Sequence, residues 1–134
     1  QSVGLACNAV DALTGDEDVL MLDPGRGQAH LLQLLDVLAR VKLSAQVPFD
    51  ETLRRASLAL TWGATAVVIV PDVNDRLFGV LLWMKQRGLH LVLIVTDPQQ
   101  PFGVLEARAA QVGIQAHLVW QESDLDEWRE AKRQ

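Results

Sequence analysis

Two aspartates stand where an α/β protein can use them. Asp72 follows the apolar run Thr65–Val70 (TAVVIV), and Asp97 follows Leu89–Val95 (LHLVLIV). If those runs are parallel neighbouring strands, both carboxylates fall at the carboxyl edge of the sheet, the usual ligand position in open α/β folds. Oxygen donors suit magnesium or calcium, and Thr96 adds a hydroxyl beside Asp97. The favoured role for each is local, with Asp72 capping the helix that begins near Asn74 and Asp97 opening an Asp97-Pro98 turn. Asp23 is not part of the group, because its strand is expected to run antiparallel and end on the opposite edge.

Other chemistry is weaker. Asp23-Pro24-Gly25-Arg26-Gly27 precedes a helix, and helix N-termini attract anions. The loop lacks the Gly-x-x-x-x-Gly-Lys and Gly-x-Gly-x-x-Gly spacings, so a plain strand-to-helix turn is expected. Cys7 lies within an apolar strand and reads as a small hydrophobe. His30, His90 and His117 are scattered, and no Ser-His-Asp arrangement follows from their spacing. A phosphoaspartate role for Asp72 would need an acidic pair after the first strand and a lysine after the last, and both are lacking. No catalytic residue is expected. Trp62, Trp83, Trp120 and Trp128 outnumber the three phenylalanines. Trp62 and Trp83 are expected to pack beside the core. Trp128, between Glu127 and Arg129, either covers the sheet edge or forms an interaction surface.

The elements that would position these residues follow from periodicity. Val3–Ala9 and Val19–Leu22 are short apolar runs joined by a loop too short for a crossover helix, so an antiparallel pair is expected. From Gln28 to Leu43, His30, Gln33, Asp36 and Arg40 mark a polar face, while Leu31, Leu34, Leu35, Leu38 and Val41 cover the other. Asp36 and Arg40 form an i, i+4 pair. A second helix is expected over 50–61, with Asp50 and Glu51 in its first turn, a buried face of Leu53, Ala56 and Leu60, and Gly63 as its end. Thr65–Val70 and Leu89–Val95 are apolar on both faces, as in parallel sheets covered by helices. Helices over 74–87 and 101–112 end at Gly88 and Gly113. Ala116–Trp120 is a last strand, and Ser123 with Asp126 opens a final helix.

The order is β-β-α-α-β-α-β-α-β-α, with right-handed crossovers between the last three strands. Composition agrees with one globular domain of 134 residues, 49% hydrophobic and 22% charged. That apolar fraction excludes disorder. A single cysteine excludes a disulfide scaffold and a cysteine-based zinc site. A net charge of −5 argues against a nucleic-acid surface. No apolar run reaches the ~20 residues of a membrane span, and no signal peptide is visible. Gln1 in place of Met suggests a piece of a longer protein.

The run VGLACNA, then LDPGRGQAHLLQLLDVLARVKL, then PFDETLRRASLALTWGATAVVIVPD and LHLVLIVTD resembles the C-terminal part of a bacterial family catalogued as domain of unknown function fifty-eight. Its soft motifs are a Val-Gly-Leu strand, a Pro-x-x-Gly before a leucine-rich helix, and a Leu-Ala-Arg at the helix end. That part of the family is similar to the von Willebrand factor A domain. The resemblance spans essentially the whole chain. It implies a three-layer α/β fold, a mostly parallel sheet with an antiparallel edge hairpin, lacking the first strand and helix and their Asp-x-Ser-x-Ser. The missing strand would lie between Val3 and Thr65. Its loss implies that the Val3 strand pairs directly with Thr65–Val70, or that another copy of the chain supplies a neighbour. Asp72 matches the aspartate that completes the family's metal site. Ser44 is the one hydroxyl in Ser44-Ala45-Gln46-Val47-Pro48, where the pattern has a threonine, so the site of Asp72 and Asp97 is incomplete. The resemblance further implies a non-enzymatic scaffold or adaptor without a cofactor, partnering a MoxR-type ATPase in complex assembly. It is expected to be cytoplasmic here, although family members often carry membrane helices upstream, and any homo-oligomer would form by sheet-edge pairing. The alternative is an α/β domain that holds magnesium or a phosphorylated ligand at the carboxyl edge.

Overall fold

The computed structural model describes residues 3–7, 9–11, 20–43, 48–121, 123, 124 and 126. The chain divides into two compact units, Gln1–Leu60 and Thr61–Gln134.

In the first unit, β1 (Val3–Cys7) pairs antiparallel with β3 (Leu20–Gly25), as the two apolar runs predict. The first run does not continue as one strand to Ala9. A separate strand, β2 (Ala9–Asp11), pairs antiparallel with β4 (Val41–Leu43). This second ladder shortens the predicted leucine-rich helix, since α1 spans Gly27–Arg40 and Val41–Leu43 leave it for the strand. Lys42 and Leu43 are good helix formers and only Val41 is β-branched, so the pairing with β2, not local propensity, sets this end of the helix. The predicted Asp36–Arg40 pair forms at 3.5 Å. No residue of α1 is buried, and Leu31, Leu32, Leu35 and Leu38 are all exposed.

The second helix, α2 (Phe49–Ser57), is shorter than expected and packs on β1. After Ser57 the chain closes in tight turns, with Ala59 donating to the Ala56 carbonyl and Leu60 to that of Ser57. Its buried face is Thr52, Leu53 and Ser57, not Leu53, Ala56 and Leu60. The hydroxyls tolerate burial because each turns back on its own helix. Ser57 Oγ donates to the Arg54 carbonyl at 2.7 Å, and Thr52 Oγ1 points at that of Pro48 at 3.5 Å.

The second unit is a β-α-β-α-β succession. Strands β5 (Thr65–Val70), β6 (His90–Val95) and β7 (Gln115–Leu118) lie side by side, all parallel. Thr65 stands opposite His90 and Val70 opposite Val95. The crossovers are α3 (Asp75–Gln86) and α4 (Phe102–Gln111). Gly88 and Gly113 end them with positive φ. Two right-handed crossovers that step the same way across a sheet put both helices on one face. The buried set agrees. Val68, Val70, Leu91, Leu93 and Val95 form a core with Leu77, Phe78, Leu81, Met84, Leu105 and Ala109. Arg108 of α4 joins the helices, bonding Asp75 at 3.0 Å and lying over the Phe78 ring at 4.1 Å.

Three features depart from the expected single sheet. Among the described residues, β1 pairs with β3 and not with β5, so the direct repair of Val3 onto Thr65–Val70 is not made. The antiparallel hairpin belongs to its own two-stranded sheet, not to the edge of the parallel one. TAVVIV is not buried on both sides: Val67 is 53% and Ile69 62% exposed. This unit's two helices occupy the opposite face, so β-branched composition alone does not guarantee a second layer.

Candidate functional site

The parallel register brings the two aspartate-bearing loops together. β5 and β6 end level, at Val70 and Val95. Beyond them Thr96 N–H donates to the Val70 carbonyl at 3.0 Å, and Asp97 N–H donates to that of Pro71 at 2.8 Å. Asp72 and Asp97 therefore stand at adjacent positions on the carboxyl edge, as the spacing predicts. Asp72 is half-buried, and Asp97 and Thr96 are exposed.

Asp72 does not cap α3. The cap is Asn74, whose Oδ1 accepts the Leu77 N–H at 2.8 Å while its own backbone stays extended. The signal was present in the sequence, since asparagine is a strong cap and stands one residue before the helix. Asp72 is thus left without the structural duty assigned to it. No group of three or more His, Cys, Asp or Glu side chains able to hold a metal occurs among the described residues. Two carboxylates are fewer ligands than a calcium or magnesium site built from protein normally needs. Ser44 lies outside the described residues.

The remaining candidates lie on different elements. Cys7 closes β1, whereas His90 starts β6 and is exposed. His117 lies in β7 and lines an open depression of about 580 Å³ with Glu106, Ala110 and Gln115. His30 lies in the first turn of α1 against the backbone of Gly25, where an added Cβ would meet its ring. Arg26 is exposed beside that turn. Trp83 is half-buried under the Arg87 guanidinium at 4.9 Å. Trp62 is not a core residue: it is 84% exposed, with its indole laid against Gly88. Trp120 is also exposed. Asp124 ties down the exit from β7, accepting the N–H groups of Trp120 at 2.6 Å and Gln121 at 2.9 Å. The expected Ser123–Asp126 cap gave no hint of that bond. Trp128 and most of the final helix lie outside the described residues. Among the described residues, no helix is long and apolar enough to cross a membrane.

Scans against family models, curated proteins and solved structures return no match for this chain.

Proposed function

We propose that the chain is a von Willebrand factor A-like interaction domain, a cytoplasmic scaffold or adaptor that partners a MoxR-type ATPase and carries out no chemistry itself. The observation that carries this reading is α1. Four leucines, Leu31, Leu32, Leu35 and Leu38, are exposed on a single helix. Apolar surface gathered on one element marks an interaction site more often than leucines scattered singly do. The test is calorimetric titration of the chain with a purified MoxR-type ATPase from the same organism. Binding that Leu35→Glu abolishes supports the proposal. No binding tighter than ~100 µM, or binding indifferent to Leu35→Glu, overturns it.

A second reading rests on Asp72, which lies half-buried beside Asp97 at the carboxyl edge and has yielded its expected capping role to Asn74. In it, Asp72 and Asp97 supply two ligands to magnesium, whose other positions are filled by water or a phosphorylated ligand. A ligand that binds only the folded chain raises its melting temperature. Titration with magnesium or manganese should then raise Tm, and Asp72→Ala should abolish the rise. A flat titration removes this reading and leaves the first untouched.

A further inference from the structure

We propose that the outer edge of β5 pairs antiparallel with β5 of a second copy of the chain, Val67 opposite Val67, joining the two parallel sheets into one of six strands. The backbone phase of β5 sets the register. The Ala64 carbonyl accepts from His90 N–H and the Val70 carbonyl from Thr96 N–H. Backbone groups alternate along a strand, so the even-numbered residues aim theirs at β6. Thr65, Val67 and Ile69 aim theirs outward, and among the described residues β5 has no strand partner on that side. With Val67 facing Val67, the pairs Thr65–Ile69, Val67–Val67 and Ile69–Thr65 exchange about six backbone hydrogen bonds. Directly opposed residues share a face, so the exposed Val67 and Ile69 side chains of both copies become one apolar row.

Two further observations select a second copy as the occupant. The strand carries none of the residue types that keep edges apart: Thr65–Val70 has no charge, no proline and no glycine. The unit is also electrically polar along its strands. Asp72 and Asp97 lie at the carboxyl end, while Lys85 and Arg87 lie at the other, in and just after the last turn of α3. A two-fold axis through Val67 sets the acidic end of each copy beside the basic end of its partner. The contact is self-complementary and closes at two copies.

The test is the mass of the whole chain in solution across a concentration series, by sedimentation or light scattering. A dimer is expected that dissociates on dilution. Val67→Lys places two like charges directly opposite and should weaken the dimer about tenfold or more, with ellipticity unchanged. Val67→Pro removes an outward N–H, which an edge strand tolerates, and should give a folded monomer. Val68→Pro removes an N–H used within the sheet and should unfold the unit. The register is read in a Cys7→Ser background. Val67→Cys should cross-link on mild oxidation, since opposed Cα atoms stand roughly 5.5 Å apart. Ile69→Cys should not. A chain that stays monomeric to ~200 µM overturns the proposal. So do a dimer indifferent to Val67→Lys, growth beyond two copies, or cross-linking through Ile69 in place of Val67.

Discussion

Alanine at Gly88 and alanine at Gly79 should move stability in opposite directions. Gly88 follows α3 with φ +86°, and both of its backbone groups are engaged. Its N–H donates to the Lys85 carbonyl at 3.0 Å, and its carbonyl accepts the Gly63 N–H at 2.9 Å. The residue therefore cannot relax to negative φ without losing bonds that join the end of α3 to the start of β5. A side chain in this conformation costs about 1–2 kcal/mol. Stiffening of the unfolded chain returns about 0.4–1 kcal/mol of that. The new Cβ would also overlap the Trp62 indole, but that side chain is mostly in water and can swing aside. The net loss is about 1 kcal/mol. Gly79 sits inside α3, and an added Cβ there meets nothing within 4 Å. Alanine at that position should gain about 1 kcal/mol from helix propensity. The difference is about 2 kcal/mol. With a urea m-value of about 1.5 kcal/mol/M, the two midpoints should part by about 1.3 M, read by far-UV ellipticity. Trp62→Ala in the Gly88→Ala background should recover only the smaller, steric part. A neutral Gly88→Ala, or complete recovery in the double variant, would refute the backbone argument.

Two further comparisons test the same unit. Asn74→Ala should cost about 1 kcal/mol by leaving the Leu77 N–H of α3 without its cap, whereas Asn74→Asp should cost little, both read from urea midpoints. Leu93→Ala, at a position only 1% exposed in the central strand, should cost about 2–5 kcal/mol, while Val104→Ala on the exposed side of α4 should stay within about 0.5 kcal/mol.

The second unit was largely legible in the sequence because its signals agree. Apart from His90, TAVVIV and LHLVLIV are β-branched or aliphatic throughout, and a glycine stops each intervening helix. Pattern, propensity and breakers give one answer, and no end of an observed strand lies more than two residues from its predicted place. The first unit was legible in its hairpin and not in its packing. Leu31, Leu35 and Leu38 have helical spacing, which predicts a helix correctly, but spacing says nothing about whether a partner surface exists. Thr52 and Ser57 were missed for the converse reason: a hydroxyl that can bond its own helix is not bound to face water. The ladder of Ala9–Asp11 with Val41–Leu43 joins segments some thirty residues apart, and periodicity along the chain carries no information about such pairings.

The acidic pair shows how far placement alone reaches. Asp72 and Asp97 are adjacent because β5 and β6 run parallel and end level; any residues two positions beyond two such strands would be adjacent too. Adjacency is thus a product of topology and adds nothing by itself to the chemical argument. What distinguishes a site from a coincidence is the loss of a simpler role, and here the two acids differ. Asp97 keeps its place ahead of Pro98 in a bend, with its N–H spent on Pro71. Asp72 has lost its expected capping duty to Asn74. Asp72 is also the less exposed of the two acids. If the edge binds magnesium, then Asp72→Ala should remove the binding while Asp97→Ala only weakens it. Equal effects of the two substitutions would mean that exposure, and not the vacated cap, governs the edge.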